Sequence, residues 1–82
     1  MKTTVEISKY PLYEDFETPI LDFIERINKE PNIRVTTNAT STHIRGDYDQ
    51  VMQLLQREIK YSFEKYDKVV FVAKILHGEL DY

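Results

Sequence analysis

The 82-residue chain is 41% hydrophobic and 30% charged, has a net charge of −3 and contains no cysteine. This is an ordinary globular composition; without cysteine there can be no disulfides, thiol catalysis or cysteine metal sites. The acidic balance argues against a nucleic-acid binder built on a basic patch. One domain is expected over residues 1–82. A chain of this size buries only about 60% of the surface its unfolded form exposes, so its core is thin and a second copy would help to complete it. No apolar stretch approaches the roughly 20 residues that span a bilayer. No apolar run follows Lys2 as a signal peptide requires. The expectation is a soluble cytoplasmic protein with neither membrane nor nucleic-acid partners.

Thr3 to Tyr10 alternates, with Val5 and Ile7 on one side and Thr4, Glu6 and Ser8 on the other, which predicts a strand half in a core. Pro11 ends it or places it at an edge. Thr18-Pro19 opens a helix, and Ile20, Phe23, Ile24 and Ile27 share its apolar face. Asp22–Arg26 and Glu25–Lys29 are acid-first pairs four residues apart. Pro31 stops the helix near Lys29.

Ile33 to Ala39 and Thr42 to Arg45 alternate again and predict a hairpin. An even loop that sets Asn38 opposite His43 and Thr36 opposite Arg45 turns Val35, Thr37 and Ile44 inward together. Gly46 is expected to break the second strand. Asp47 then caps a helix from about Tyr48 to Lys65, with Gln50 completing a capping-box pair. Val51, Leu54, Leu55, Ile59, Ser62, Phe63 and Tyr66 recur along this helix at three- and four-residue steps. Lys68 to Leu76 is the last strand. Its continuous apolar run, Val69 to Ala73, predicts burial on both faces. Gly78 begins a short tail.

The order strand–helix–strand–strand–helix–strand predicts a ferredoxin-like α+β sandwich. Right-handed crossovers put both helices on one face of a four-stranded antiparallel sheet, with the first and third strands central. The other face is left without a helix. By parity it carries Glu6, Ser8, Thr36, Asn38, His43 and Arg45. The last strand adds Val70, Val72, Lys74 and Leu76, an apolar margin expected to meet another copy of the chain.

Three stretches resemble the thiamine-binding protein family, also called YkoF-like. They are Glu6-Ile7-Ser8, Tyr10-Pro11-Leu12, and Thr42-x-Ile44-x-Gly46-Asp47 followed by Val51-Met52. The resemblance covers nearly the whole chain and implies the ferredoxin-like fold. It also implies association as homodimers or homotetramers and binding of thiamine or its hydroxymethylpyrimidine part, with no cofactor of the protein's own.

Thiamine is a cation with an aminopyrimidine ring, and a site for it wants a carboxylate, directed donors and acceptors, and an aromatic or apolar wall. Glu6 would meet the charge or the ring nitrogens. Ser8, Asn38 and Thr42 would bond ring edges, although the register turns Thr42 inward. Tyr10 or Tyr13 would stack, and His43 and Arg45 complete the candidate set.

Each residue also has a structural reading. Glu6 beside Arg45 makes a cross-strand ion pair, a weak interaction when exposed. His43 fits a surface or interface position better than a catalyst or metal ligand, since it lacks an evident carboxylate, His or Cys partner. His77 reads as solvated. Tyr61, Phe63 and Tyr66 fit helix packing or an interface, whereas Tyr10, Tyr13 and Phe16 divide between packing and a pocket. Thr42, Gly46 and Asp47 read as strand end, exit and cap.

Enzymatic readings lack support. There is no Gly-rich phosphate loop, Ser8 to Tyr13 does not resemble the acylphosphatase cradle of this fold, and the central strands lack the stacking aromatics of an RNA-recognition module. A hydrolase using His43 is the weakest of three hypotheses. The first is a non-enzymatic small-molecule binder, and the second an association module with no small ligand.

Overall fold

In the computed structural model, residues 1–12, 17–66 and 68–80 are described. Six elements follow in the expected order: β1 (Lys2–Pro11), α1 (Glu17–Asn28), β2 (Arg34–Thr37), β3 (Thr42–Asp47), α2 (Tyr48–Lys65) and β4 (Val69–His77). The strands form one antiparallel sheet in the order β2-β3-β1-β4. Both helices pack on the same side of it, as a ferredoxin-like sandwich requires.

The core lies between these layers. Val5 and Ile7 of β1 and Ile44 of β3 project from the central strands. They meet Phe23 and Ile27 of α1 and Val51, Leu54 and Leu55 of α2, all buried. The two periodicities in the sequence, two in the strands and three to four in the helices, therefore converge on one apolar layer.

The β2–β3 hairpin has the expected parity but not the expected register. Thr36 lies opposite His43, Thr37 opposite Thr42 and Arg34 opposite Arg45, two residues away from the predicted pairing. The cause is Asn38. Its side-chain oxygen accepts bonds from the Thr40 and Ser41 amides, each at 2.9 Å, and its own amide donates to the Ser41 carbonyl at 3.0 Å. An Asx turn of this kind takes Asn38 out of β2 and ends the strand at Thr37. A shift of two leaves every side chain on its predicted face.

Gly46 does not break β3, which pairs with β1 as far as Asp47 opposite Lys2. A Cβ at Gly46 would stand 3.4 Å from the Asn32 carbonyl, an Ile33 side-chain carbon and a Val51 methyl. The glycine therefore lets the loop before β2 and the first turn of α2 close over the strand. Asp47 makes no side-chain cap bond, so the expected capping box is not formed; the Tyr48 amide donates instead to the Met1 carbonyl at 2.8 Å. Asp22 likewise turns from Arg26 to the Tyr66 hydroxyl at 2.9 Å and Lys65 at 3.4 Å, while Glu25–Lys29 pairs at 3.7 Å as expected.

β4 corrects the sequence reading most. It is an edge strand, and Val70, Val72 and Ile75 are 45%, 54% and 54% exposed. The apolar run is thus not buried on both faces within one chain.

Candidate functional site

β1 and β3 alternate, so the sheet face away from the helices carries Thr4, Glu6, Ser8 and Tyr10 beside His43 and Arg45. β4 adds Val70, Val72, Lys74 and Leu76. Glu6 is the centre of this face, with His43 directly opposite on one side and Lys74 on the other. Its carboxylate oxygens stand 3.4 Å from His43 Nε2 and 3.6 Å from Lys74 Nζ. His43 therefore has a carboxylate neighbour, contrary to the sequence reading. The expected Glu6–Arg45 pair is absent, because Arg45 lies two positions along β3, opposite Thr4.

Thr4, Glu6, His43, Lys74, Leu76 and Leu80 line a depression of about 150 Å3. Leu80 reaches it because Gly78, at φ +92°, turns the chain after β4 back across the sheet. Such a conformation suits glycine and strains a side chain. Thr4 then clamps the returning segment: its hydroxyl donates to the Gly78 carbonyl and accepts from the Leu80 amide, both at 2.9 Å. Arg45 Nε donates to the Leu80 carbonyl, Arg45 Nη1 lies 3.3 Å from Thr36 Oγ1, and Glu79 pairs with Arg34 at 3.5 Å. One end of the supposedly bare face is thus covered by the chain itself, and Thr4 is buried beneath it.

The remaining predicted contacts lie elsewhere. The Ser8 hydroxyl donates to the Thr40 carbonyl at 3.0 Å, and Asn38 is committed to its turn. Thr42 faces the helices, buried, with its hydroxyl 3.2 Å from that of Thr37. These residues line a separate cavity of about 80 Å3 at the hairpin end, between the sheet and α1. Tyr10 stands opposite Val70 near the end of β1, half exposed. Tyr13 and Phe16 lie outside the described residues. The structure thus groups Glu6 and His43 with two residues expected at an interface, Lys74 and Leu76, and removes Ser8, Asn38 and Thr42 from that group.

Two buried charges escaped the sequence reading. Lys9 projects inward with Val5 and Ile7 and is 7% exposed. Its ammonium donates to the Pro19 carbonyl at 2.7 Å and the Ser62 hydroxyl at 3.1 Å, and lies 4.7 Å from the centre of the Tyr66 ring. Burial lowers its pKa to about 8, partly opposed by Asp22. The signal was present, since Lys9 continues the alternation of the inward side. Glu58 of α2 is 2% exposed and is held by Arg26 and Arg57. Burial pushes its carboxyl pKa up, but the two guanidinium partners outweigh that and hold it below the ordinary value. Two shallow hollows on the helix layer, of about 220 and 300 Å3, are lined mainly by charged residues already paired with one another.

A ferredoxin-like sandwich with a charged cluster on its helix-free face is the class that these observations define. A family model described as thiamine-binding protein matches residues 1–78, and the chain belongs to that family. It is similar in fold to a protein of Streptococcus pneumoniae, at 21% identity and a TM-score of 0.87, over 98% of this chain and 90% of the other. A proposed thiamine biosynthesis/salvage protein of Thermotoga maritima is similar at 20% identity and a TM-score of 0.86, over 99% and 90% of the two chains. A hypothetical protein of Methanocaldococcus jannascii is similar at 25% identity and a TM-score of 0.80, over 99% and 84%. No curated protein matches the chain. Among the described residues no helix is long and apolar enough to cross a membrane, and no His, Cys, Asp or Glu cluster could hold a metal ion.

Proposed function

We propose that this protein binds thiamine or a hydroxymethylpyrimidine-like metabolite, without transforming it, on the helix-free sheet face at Glu6, where a second copy of the chain completes the site. The observation that carries this reading is the Glu6 cluster. A carboxylate, an imidazole and an ammonium meet over a depression with apolar walls at Leu76 and Leu80. That supplies acceptors for an amine or cation and donors for ring nitrogens. Glu6 is about one-third exposed, and ion pairs of this kind contribute only about 0–1 kcal/mol. A ligand can therefore redirect the carboxylate at small cost. Membership of a thiamine-binding family supports the same ligand class.

The volume supports the second copy. A depression of about 150 Å3 is roughly half the smallest pocket, about 300 Å3, that ordinarily encloses a small ligand. Further along the same face, the exposed Val72, Val70 and Tyr10 offer an apolar margin on which a partner can seat.

Isothermal titration with thiamine and with hydroxymethylpyrimidine tests the reading. Saturable heat is expected, and Glu6→Gln should weaken binding about tenfold, the scale of one hydrogen bond to a charged group. A folded protein giving no heat with either ligand would exclude the proposal.

A second reading, an association module without a ligand, rests on the exposed apolar residues of β4. It would be favoured by a stable dimer that shows no response to either compound.

A further inference from the structure

Arg45 is a buried charge that meets no carboxylate among the described residues. Its residue is 4% exposed, yet among the described residues its guanidinium meets only neutral acceptors, the Leu80 carbonyl and the Thr36 hydroxyl. Charged side chains are rarely buried unless paired, because desolvating a guanidinium is compensated fully only by an anion or a dense set of hydrogen bonds. Its planar fork matches carboxylate and phosphate oxygens better than a single peptide carbonyl. Arg45 also projects from the same side of β3 as His43, two residues away, and Leu80 is at once its partner and a wall of the Glu6 depression.

The segment over Arg45 is held mainly by polar contacts. Three bonds tie residues 78–80 to Thr4 and Arg45, a fourth joins the Gly78 amide to the Lys2 carbonyl at 2.9 Å, and Glu79 pairs with the half-exposed Arg34 at 3.5 Å. The turn that starts it depends on the positive φ of Gly78, around which no atom lies within 4 Å of a would-be side chain. Among the described residues, the route of the segment thus rests on one glycine, four hydrogen bonds and one ion pair at the surface rather than on the buried core.

We propose that Arg45 forms the floor of an oxyanion subsite next to Glu6, and that the 78–80 segment is a strap whose Leu80 carbonyl holds the place of a ligand carboxylate or phosphate. Binding lifts the strap: the Leu80 carbonyl passes to water, and Arg45 takes the anion through its fork. The face then receives a ligand with two ends, an amine or cation at Glu6 and an oxyanion at Arg45. The inference rests on the binding reading for the location of the site, but the anion end has its own test.

The test follows the Arg45 Nε–H and Leu80 amide signals by NMR in the full chain, at constant ionic strength, during titration with inorganic phosphate and separately with acetate. Both signals should shift saturably, and the stronger of the two probes identifies the anion as phosphate-like or carboxylate-like. Gly78→Val strains the turn without touching Arg45 and should tighten anion binding about tenfold, since displacing the strap then costs less. Arg45→Met should abolish the response. If that variant does not fold, Arg45→Lys, which keeps the charge but loses the fork, should weaken it. An Arg45 Nε–H unmoved by either anion in both the wild-type chain and Gly78→Val overturns the proposal, as does equal affinity in a folded Arg45→Met. Thiamine heat without any anion response overturns the strap alone; an anion response without thiamine heat overturns the ligand class of the binding reading alone.

Discussion

Lys9 and Glu58 are both enclosed by the helix layer, and both add stability as pH rises, in separate windows. The lowered pKa of Lys9, about 8 against 10.5 in solvent, means that the unfolded chain holds this proton more tightly than the folded one. Its contribution to stability therefore rises as pH climbs from about 8 to 10.5. Urea denaturation of wild-type protein and Lys9→Met across that window should show the wild type gaining on the variant, and parallel curves would place the Lys9 ammonium in solvent. Glu58 follows the same sign in the acidic range. Its depressed carboxyl pKa adds stability that is present above the ordinary value of 4.5 and lost as pH falls through the folded value. Glu58→Gln leaves Arg26 and Arg57 without their shared carboxylate and should cost about 3 kcal/mol at neutral pH, the low end for breaking a buried pair because Arg26 is partly exposed. The difference between the two proteins should shrink in acid, as read by the denaturant midpoint at pH 7 and pH 3.

Single elements reveal where local pattern was enough. α2 runs from Tyr48 to Lys65 as its three- and four-residue apolar spacing predicts. β1 buries the side its alternation nominates. The hairpin register was not legible, because one Asn38 oxygen accepting two turn amides outweighs any strand preference of a short polar run. Gly46 was misread because a glycine that ends a strand and one that admits a crossing segment look alike in sequence. Its close neighbours lead to a graded expectation. Gly46→Ala should be tolerated, since its Cβ meets ordinary contact distances at 3.4 Å. Gly46→Val should cost about 1–3 kcal/mol by overpacking against Ile33 and Val51. Thermal unfolding of the two variants separates them, and equal melting temperatures would remove the close approach as the reason for the glycine.

At the scale of the molecule, the sheet order leaves β4 as an edge with exposed valines on the helix-free face. Exposed apolar strand edges invite pairing with another chain. Light scattering at micromolar concentration should report a dimer or tetramer, and Val72→Lys should yield a monomer with little loss of fold stability, since Val72 is 54% exposed. A wild-type monomer would leave the depression at Glu6 without its second wall.

The layer architecture and the inward faces of β1, β3 and the two helices were readable from the chain, because periodicity reports which side of an element is apolar, and that side has only one place to go. The family was legible only through short motifs such as Tyr10-Pro11-Leu12. Which polar residues meet was not readable. Glu6 found His43 and Lys74 rather than Arg45, Asp22 found Tyr66 rather than Arg26, and Leu80 came to lie on Arg45 from 35 positions away. Polar pairing on a sheet depends on register and on the path of segments returning from far along the chain. Those are settled only once the layers have closed, by the geometry of a few turns such as those at Asn38 and Gly78.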